Sequence, residues 1–184
     1  MKMALALLLT LALAGTVCAT EIAGVKIEPT VAVNNQALKL NGSGVRKKFM
    51  IKVYIGSLYA TKRLPTAAEA MRDNGDKLVR MNFLHSKIDK SKITDAFKEG
   101  FANNTPDIAN SPEVKKFLAL FTDDFKKGDV VDISLAANGT VTVKHNGKLL
   151  GSVASQRLAT GVLAIYLGDR PADESLKQGM LGKE

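Results

Sequence analysis

Two side chains that could hold an anion lie on one alternating stretch of the sequence, GVRKKFMIKVYIGSLYA (residues 44–60). Its odd positions are mostly apolar, broken only by Lys47, and this period of two predicts a half-buried strand. Arg46 and Tyr54 occupy even positions, so both side chains leave the same face of that strand. A guanidinium can bind a carboxylate through two parallel hydrogen bonds, and a phenol can donate one more. The pair is therefore a candidate site for a carboxylate.

The separation between the two candidates limits this interpretation. An extended strand rises about 3.3 Å per residue, which would place the α-carbons of Arg46 and Tyr54 roughly 26 Å apart. A shared ligand then requires a bend in the strand or a reach by both long side chains. Gly56 interrupts the alternation and predicts a bulge or bend there. The alternative is a face turned toward water, which Lys48 and Lys52 on the same face favour.

Other kinds of site have little support in the sequence. His85 and His145 are the only histidines, and neither has a partner at metal-ligand spacing, so we predict no metal site. The glycines of NGSG (residues 41–44) precede a strand and not a helix, which excludes a phosphate loop. No nucleophile-elbow motif is present. We therefore predict no cofactor.

The N-terminal residues 1–19 have the pattern of a secretory signal peptide. A lysine is followed by an apolar run over residues 4–14, too short for the roughly 20 residues that span a bilayer. Val17 and Ala19 fill the −3 and −1 positions of a small-residue cleavage site. Cleavage there removes Cys18, the only cysteine, which excludes disulfides and thiolate chemistry. We expect a periplasmic protein without a transmembrane segment.

The charge balance narrows the choice of partners. The full sequence carries a formal net charge of +8 at pH 7. Aromatic residues are not interleaved with the basic ones as a single-strand binder requires, so we predict no nucleic-acid partner. The excess of lysine has two interpretations. The lysines form a basic surface that is simply solvated, or they attract anionic lipid surfaces or acidic ligands weakly.

The elements around the candidate residues predict an α+β fold. Strands come first, then helices, then a three-strand meander joined by Asn-Gly turns, then helices again. This order predicts a large, mostly antiparallel sheet covered by helices on one side, in a single domain over residues 20–184. The predicted elements are strands at 25–33 (broken by Pro29), 37–40, 44–60, 78–84, 130–135, 140–143 and 148–153, a turn at 41–44, and helices at 66–74, around 93–101 and 114–121, at 156–167 and at 173–181.

Two motifs in this order resemble the chalcone isomerase family, in particular its bacterial exported, chalcone isomerase-like branch. LNGSGVRKKFMIKVYIGSLYA (residues 40–60) resembles that family's glycine-arginine turn and the long strand that ends in a small residue and LY. AIYLGDRPADESLKQGMLG (residues 164–182) resembles its closing helix, turn and helix, with YLGD in place of a WLGD-like segment. The resemblance implies an open-faced β-sandwich with a ligand cleft between sheet and helices.

The resemblance also marks positions where the true enzymes carry their active residues. The family's arginine after the glycine-rich turn falls on Arg46, and its strand threonine falls near Tyr54. Its tyrosine and asparagine beside a helix start fall near Asp89 and Ala96, and its late threonine or serine falls near Ile165. Most hydrogen-bond donors of the enzymes are therefore missing from this sequence.

Some non-catalytic relatives in this family bind long-chain fatty acids, with an equivalent arginine and a strand tyrosine on the carboxylate. The resemblance thus implies a non-catalytic binder of a small amphipathic acid, such as a fatty acid, with Arg46 as anchor, Tyr54 as supporting donor and Phe and Leu residues of the two middle helices as the apolar wall. One alternative is an isomerase or intramolecular lyase acting on an enone or phenolic substrate, in which Arg46 would polarise a carbonyl. Another is an envelope interaction protein that uses its basic surface.

Overall fold

A seven-stranded antiparallel sheet organises the chain, and the computed structural model describes residues 20–183 of it. A separate two-stranded ribbon, β1 (Thr20–Ile22) and β2 (Val25–Ile27), precedes this sheet. The predicted signal peptide lies outside the described residues. The strands of the large sheet are β3 (Thr30–Val33), β4 (Gln36–Lys48), β5 (Ile51–Ala60), β6 (Lys77–Phe83), β7 (Val130–Leu135), β8 (Thr140–His145) and β9 (Lys148–Ala154).

Each strand of the large sheet pairs with the next strand along the chain, so its spatial order is its sequence order. The strand predicted at 25–33 is divided at Pro29 between β2 and β3, and β3 forms an edge of the sheet, as a proline there favours. The predicted α+β class is confirmed. The helices are α1 (Ala67–Arg72), α2 (Lys90–Asn104), α3 (Pro112–Ala119), α4 (Gln156–Leu167) and α5 (Glu174–Met180).

The main hydrophobic core lies between the sheet and the helices. It contains residues of every helix, from Ala70 in α1 to Leu176 in α5, together with Leu58 and Val79 of the central strands. Adjacent strand residues point to opposite faces, and Tyr59 and Leu78 belong to a second, smaller cluster on the other side of the sheet. Within residues 20–183, no helix has both the length and the apolar character needed to cross a membrane.

Local sequence signals set the helix boundaries. The hydroxyls of Thr66, Ser111 and Ser155 each accept a hydrogen bond from the backbone amide three residues later, which caps α1, α3 and α4. Pro112 occupies the first turn of α3, where its missing N–H costs nothing. These positions agree with the predicted helix starts to within about two residues, the usual uncertainty of helix ends.

The predicted turn at residues 41–44 is wrong, because this segment runs through the middle of β4. Its glycines serve a close contact: helix α5 packs directly on the strand backbone. A β-carbon on Gly44 would lie 2.9 Å from the Leu176 α-carbon, and one on Gly179 would lie 2.6 Å from the Gly44 α-carbon. Glycine in a strand marks either a turn or a close approach, and here it marks the second.

A buried asparagine fastens this contact from one end. The Asn41 side chain accepts a hydrogen bond from the Leu64 amide (2.7 Å) and donates to the carbonyls of Leu64 (3.0 Å) and Met180 (2.8 Å). Asn41 is 3% exposed, so losing these partners would leave a buried polar group unpaired. The side chain therefore joins β4 to the loop before α1 and to the last turn of α5.

The predicted single strand over residues 44–60 is also wrong. The chain reverses at Phe49 and Met50, where φ is +48° and +69°, and β4 and β5 form a hairpin. Phe and Met are not turn-forming residues, so the sequence gives no sign of this reversal. Phe49 and Ile51, assigned to an apolar buried face by alternation, are exposed.

The predicted bulge at Gly56 is absent, because the strand pairing is regular there. Gly56 pairs with Gly44 across the hairpin, and the register shifts in β4 lie instead between Leu40 and Gly42 and between Arg46 and Lys47. A β-carbon at Gly56 would lie 2.8 Å from a terminal methyl of Leu176. This glycine thus makes room for α5.

The two paired glycines provide a test of the α5 contact. Gly44→Ala is expected to lower the free energy of unfolding by about 3 kcal/mol, because the new methyl meets helix backbone that cannot rotate away. Gly56→Ala is the matched control and should cost about 1 kcal/mol, since its only close clash is with the flexible end of the Leu176 side chain and the Tyr54 ring lies at an ordinary 3.5 Å. Urea unfolding midpoints measure both, and equal losses would contradict the backbone contact.

Candidate ligand-binding site

The hairpin turn places the two predicted site residues side by side. Arg46 of β4 pairs directly with Tyr54 of β5, and both side chains leave the same face of the sheet. The guanidinium carbon of Arg46 lies 5.6 Å from the centroid of the Tyr54 ring, within cation–π range. The long separation expected for a straight strand therefore does not exist.

The end of β4 beside Arg46 is held by the N-terminus of α5. The Asp173 carboxylate caps α5 by accepting from the Leu176 amide (3.0 Å), and its second oxygen accepts from the Lys47 amide (3.0 Å). Burial tends to raise the pKa of Asp173, but these backbone hydrogen bonds outweigh it and lower the pKa. A register shift between Arg46 and Lys47 accompanies this contact and re-aims the side chains at the strand end.

Arg46 borders a small chamber beneath the helices. The chamber volume is about 10 Å³, which is room for about one water molecule. Its polar lining comes from Arg46, Tyr54 and Tyr166, and the rest of the wall is nonpolar. The nonpolar lining residues are Met81, Ile93, Ala96, Phe97, Ile165 and Ala172.

Burial raises the pKa of both chamber phenols. It raises the pKa of Tyr54, while the nearby Arg46 guanidinium and the Tyr166 hydroxyl act in the opposite direction. Burial also raises the pKa of Tyr166 well above its ordinary value. Tyr166 donates to the sulfur of Met81 (3.6 Å), a weak acceptor. Both phenols are therefore hydrogen-bond donors at neutral pH.

The Arg46 guanidinium has hydrogen-bonding capacity to spare. Its Nε atom is buried and has no hydrogen-bond partner among residues 20–183. None of the ion pairs in this part of the chain includes Arg46. A buried cationic donor without a partner is costly, and an anion would supply what it lacks.

Arg46 also faces a much larger open cleft between the β4–β5 hairpin and α2. This cleft has a volume of about 650 Å³, and it shares Arg46, Ile93 and Ala96 with the small chamber. Its other apolar lining comes mainly from the hairpin and from the loop before α2: Phe49, Ile51, Val53 and Ile88. Arg46 thus stands where an apolar cleft meets a polar chamber.

Charged side chains surround the mouth of this cleft. The Lys87 ammonium lies 3.5 Å from a carboxylate oxygen of Asp89, and Asp95 pairs with Lys98 at 3.1 Å. Lys48 is exposed at the rim, while Lys52 is exposed outside the cleft lining, as the sequence predicted for both side chains. Exposed charges of this kind influence the approach of a ligand more than its final affinity.

The positions carried over from the enzymes meet at this site. Ala96 and Ile165 line the chamber, and Asp89 lines the cleft. Ala96 and Ile165 carry no hydrogen-bond donor where the enzymes have polar side chains. The polar groups of the chamber are therefore Arg46, Tyr54 and Tyr166, and the rest of its wall is apolar.

Sequence reasoning missed Tyr166 as a site residue. It follows Ile165 on α4 within the YLGD segment, and its place in the family motif was the available signal. The predicted aromatic wall is only partly present in the site. Phe97 lines the chamber, whereas Phe117 packs behind it with ring centroids 5.3 Å apart.

The tyrosines predict an alkaline limit to stability. Burial raises the pKa of Tyr54, Tyr59 and Tyr166, the only tyrosines in the chain. The folded protein then keeps phenol protons that the unfolded chain releases near pH 10. This stabilisation is fully present below that pH and is lost as pH rises through the folded-state values. Absorbance titration should show tyrosinate appearing together with loss of near-ultraviolet circular dichroism; ionisation near pH 10 in intact protein would contradict the prediction.

Comparison with known proteins agrees with this architecture. Fatty-acid-binding protein 1 of Arabidopsis thaliana is 24% identical over 108 residues, which are 56% of this chain and 39% of that protein. The chain thus spans less than half the length of this relative.

A crystal structure of an Arabidopsis thaliana fatty-acid binding protein matches with a TM-score of 0.66 at 20% identity, over 86% of this chain and 92% of the other, and confirms the expected fold. The sequence profile of chalcone isomerase-like proteins matches residues 19–182. Because that match covers almost the whole sequence, the chain belongs to the chalcone isomerase-like family.

Proposed function

We propose that this protein is a non-catalytic binder of a small amphipathic acid, such as a fatty acid. The observation that carries the proposal is the position of Arg46, whose buried Nε has no partner among the described residues and whose side chain joins the chamber to the cleft. A ligand with a carboxylate at one end and an apolar chain behind it matches both environments.

The carboxylate would bind at the inner end of the cleft. A carboxylate oxygen has about the size of a water molecule, so one oxygen can fill the chamber of about 10 Å³. There it would accept a hydrogen bond from the Tyr54 phenol while the guanidinium of Arg46 binds the carboxylate group. Charge-assisted hydrogen bonds of this kind are stronger than neutral ones.

The apolar chain of the ligand would extend along the open cleft. A volume of about 650 Å³ lies within the usual range of about 300–1,000 Å³ for small-molecule sites. Val53, Ile88 and Ile93 provide apolar contact along its length. Burying hydrocarbon there contributes about 25 cal/mol per Å² removed from water.

Two further points favour binding over catalysis. Stabilising an enolate requires positioned donors around the reacting atoms, and Ala96 and Ile165 carry none at two positions where the resemblance places polar residues of the enzymes. The plant protein described above, matched both by its sequence and by its crystal structure, is named for fatty-acid binding and not for isomerisation.

The proposal also includes export. Residues 1–19 have the basic start, apolar run and cleavage site of a signal peptide. We place the protein in a bacterial exported branch of its family, with the periplasm as its location.

Loss of the anchor is expected to abolish most ligand binding. Arg46→Ala should weaken binding of a long-chain fatty acid by about 10- to 100-fold, and Tyr54→Phe by about 3- to 10-fold, since the first removes a charged donor and the second a neutral one. Isothermal titration with delipidated protein measures both affinities. Mass spectrometry of acids released by denaturing the purified protein is an independent readout.

Arg72→Ala is the matched control, because it removes an arginine of the same charge from an exposed position on α1. Urea midpoints of all variants establish that they fold. Equal fatty-acid binding by Arg46→Ala and the control would contradict the role of Arg46 in binding the carboxylate. Conversion of a hydroxychalcone by wild-type protein, lost in Arg46→Ala, would replace the proposal with the isomerase alternative.

Export predicts a defined mature N-terminus. Protein produced in a bacterium from the full sequence should appear in the periplasmic fraction with an intact mass that begins at Thr20. Ala19→Arg should block processing, because the −1 position requires a small residue. Cys18→Ser is the control and should leave both mass and location unchanged; a lipid-modified Cys18 at the N-terminus would contradict this cleavage site.

A further inference from the structure

The tip of the β4–β5 hairpin exposes an unusual group of large apolar side chains. Phe49 is 89% exposed, Met50 92% and Ile51 50%, and these three residues are called the apolar tip below. They are consecutive at the end of a projecting hairpin. Isolated surface hydrophobic residues need no explanation, but a contiguous exposed group marks an interaction site.

The backbone of the apolar tip contradicts the usual turn chemistry. Residues 20–183 contain four two-residue hairpin turns with positive φ at both positions, and three of them use Ala-Gly, Asn-Asn and Asn-Gly. The fourth is Phe49-Met50. A turn of this type favours asparagine and glycine, because larger side chains are strained at positive φ. Local strain that the fold retains is characteristic of functional positions.

Positive charge flanks the apolar tip on both strands. Residues 46–52 contain Arg46, Lys47, Lys48 and Lys52 and no acidic residue. Lys47, Lys48 and Lys52 are exposed. The apolar tip would match the hydrocarbon layer of a lipid monolayer, and the basic residues behind it would match the anionic headgroups above that layer.

We propose that the apolar tip inserts into the interface of an anionic lipid membrane while the flanking lysines contact the headgroups. Phe49 and Met50 would leave water for the acyl region, and this burial would compensate for the strained turn. The lysine ammonium groups, on flexible stems, would remain at headgroup level.

The charge pattern favours a membrane over a second copy of this chain. Two apolar tips in contact would bring the lysine clusters of both hairpins together, and like charges at an interface are repulsive. An anionic membrane instead neutralises every lysine around the insertion. The overall charge of +8 acts in the same direction.

Docking in this way would bring the mouth of the cleft to the bilayer surface, because Phe49, Ile51 and Lys48 also line that cleft. Direct exchange of an acyl ligand with the membrane would follow, and this consequence alone rests on the proposed function. The docking itself requires no ligand.

The central experiment exchanges the tip for a sequence that suits its turn. Phe49→Asn/Met50→Gly introduces the dipeptide that this backbone prefers, so the variant should unfold at an equal or higher urea concentration. Co-sedimentation measures its binding to vesicles containing phosphatidylglycerol. The affinity should fall to about one tenth of the wild-type value or lower, because apolar burial is lost. Equal binding would overturn the insertion.

A charge-matched pair of variants tests the headgroup contacts. Lys47→Gln/Lys48→Gln/Lys52→Gln should lose most binding to anionic vesicles. Lys39→Gln/Lys115→Gln/Lys116→Gln removes the same charge from exposed positions elsewhere and should retain most of it. Equal loss in both triple variants would show general charge attraction and overturn a defined docking surface. Added salt should weaken wild-type binding, and pure phosphatidylcholine vesicles should bind poorly.

A fluorescence reporter tests insertion directly. The sequence contains no tryptophan, so Phe49→Trp is a unique probe whose emission should shift to shorter wavelength on anionic vesicles. Ala119→Trp, at an exposed position in α3, is the control and should not shift. An unshifted Phe49→Trp, or a concentration-dependent dimer that the Asn-Gly variant loses, would overturn membrane docking in favour of a protein contact. Vesicle binding measures the membrane docking alone. Fatty-acid binding that depends on Arg46 measures the proposed function.

Discussion

The contact between α5 and β4 determines the shape of the candidate site. Helix backbone lies directly on strand backbone at Gly44 and Gly179, so the separation of the two elements cannot adjust through side-chain rotation. The N-terminus of the same helix places Asp173 against the Lys47 amide and Ala172 in the chamber wall. The contact thereby holds the end of β4, which carries Arg46, against the N-terminus of α5.

The electrostatic character of the site follows from how little water it admits. Tyr54 and Tyr166 are buried and remain protonated, while Arg46 keeps a buried nitrogen without a partner among the described residues. Such an arrangement favours one negative group at one position, because an anion compensates a cost already present in the ligand-free fold. Ala96 and Ile165 add apolar wall to the same chamber, so its hydrogen-bond donors are limited to Arg46, Tyr54 and Tyr166.

The β4–β5 hairpin combines local strain with an ordinary global fold. Its register is fixed by pairing along the whole of β4 and β5, so an unfavourable dipeptide at the turn can be retained. Asn146-Gly147, in the β8–β9 hairpin, has the same positive-φ geometry with residues that suit it. The two hairpins therefore share one turn geometry, and only one of them has turn residues that favour it.

The sequence by itself determined the α+β class, the capped helices and the Asn-Gly hairpins, because these depend on interactions between residues close together in the chain. It also identified Arg46 and Tyr54 as candidates from residue type and parity. Only the tertiary structure decided that they are neighbours, since the reversal at Phe49-Met50 has no local signal and depends on strand pairing over a long segment. The glycines at 42 and 44 were equally ambiguous: a turn and a helix contact require the same small residue, and only the position of α5, more than a hundred residues away, selects the contact.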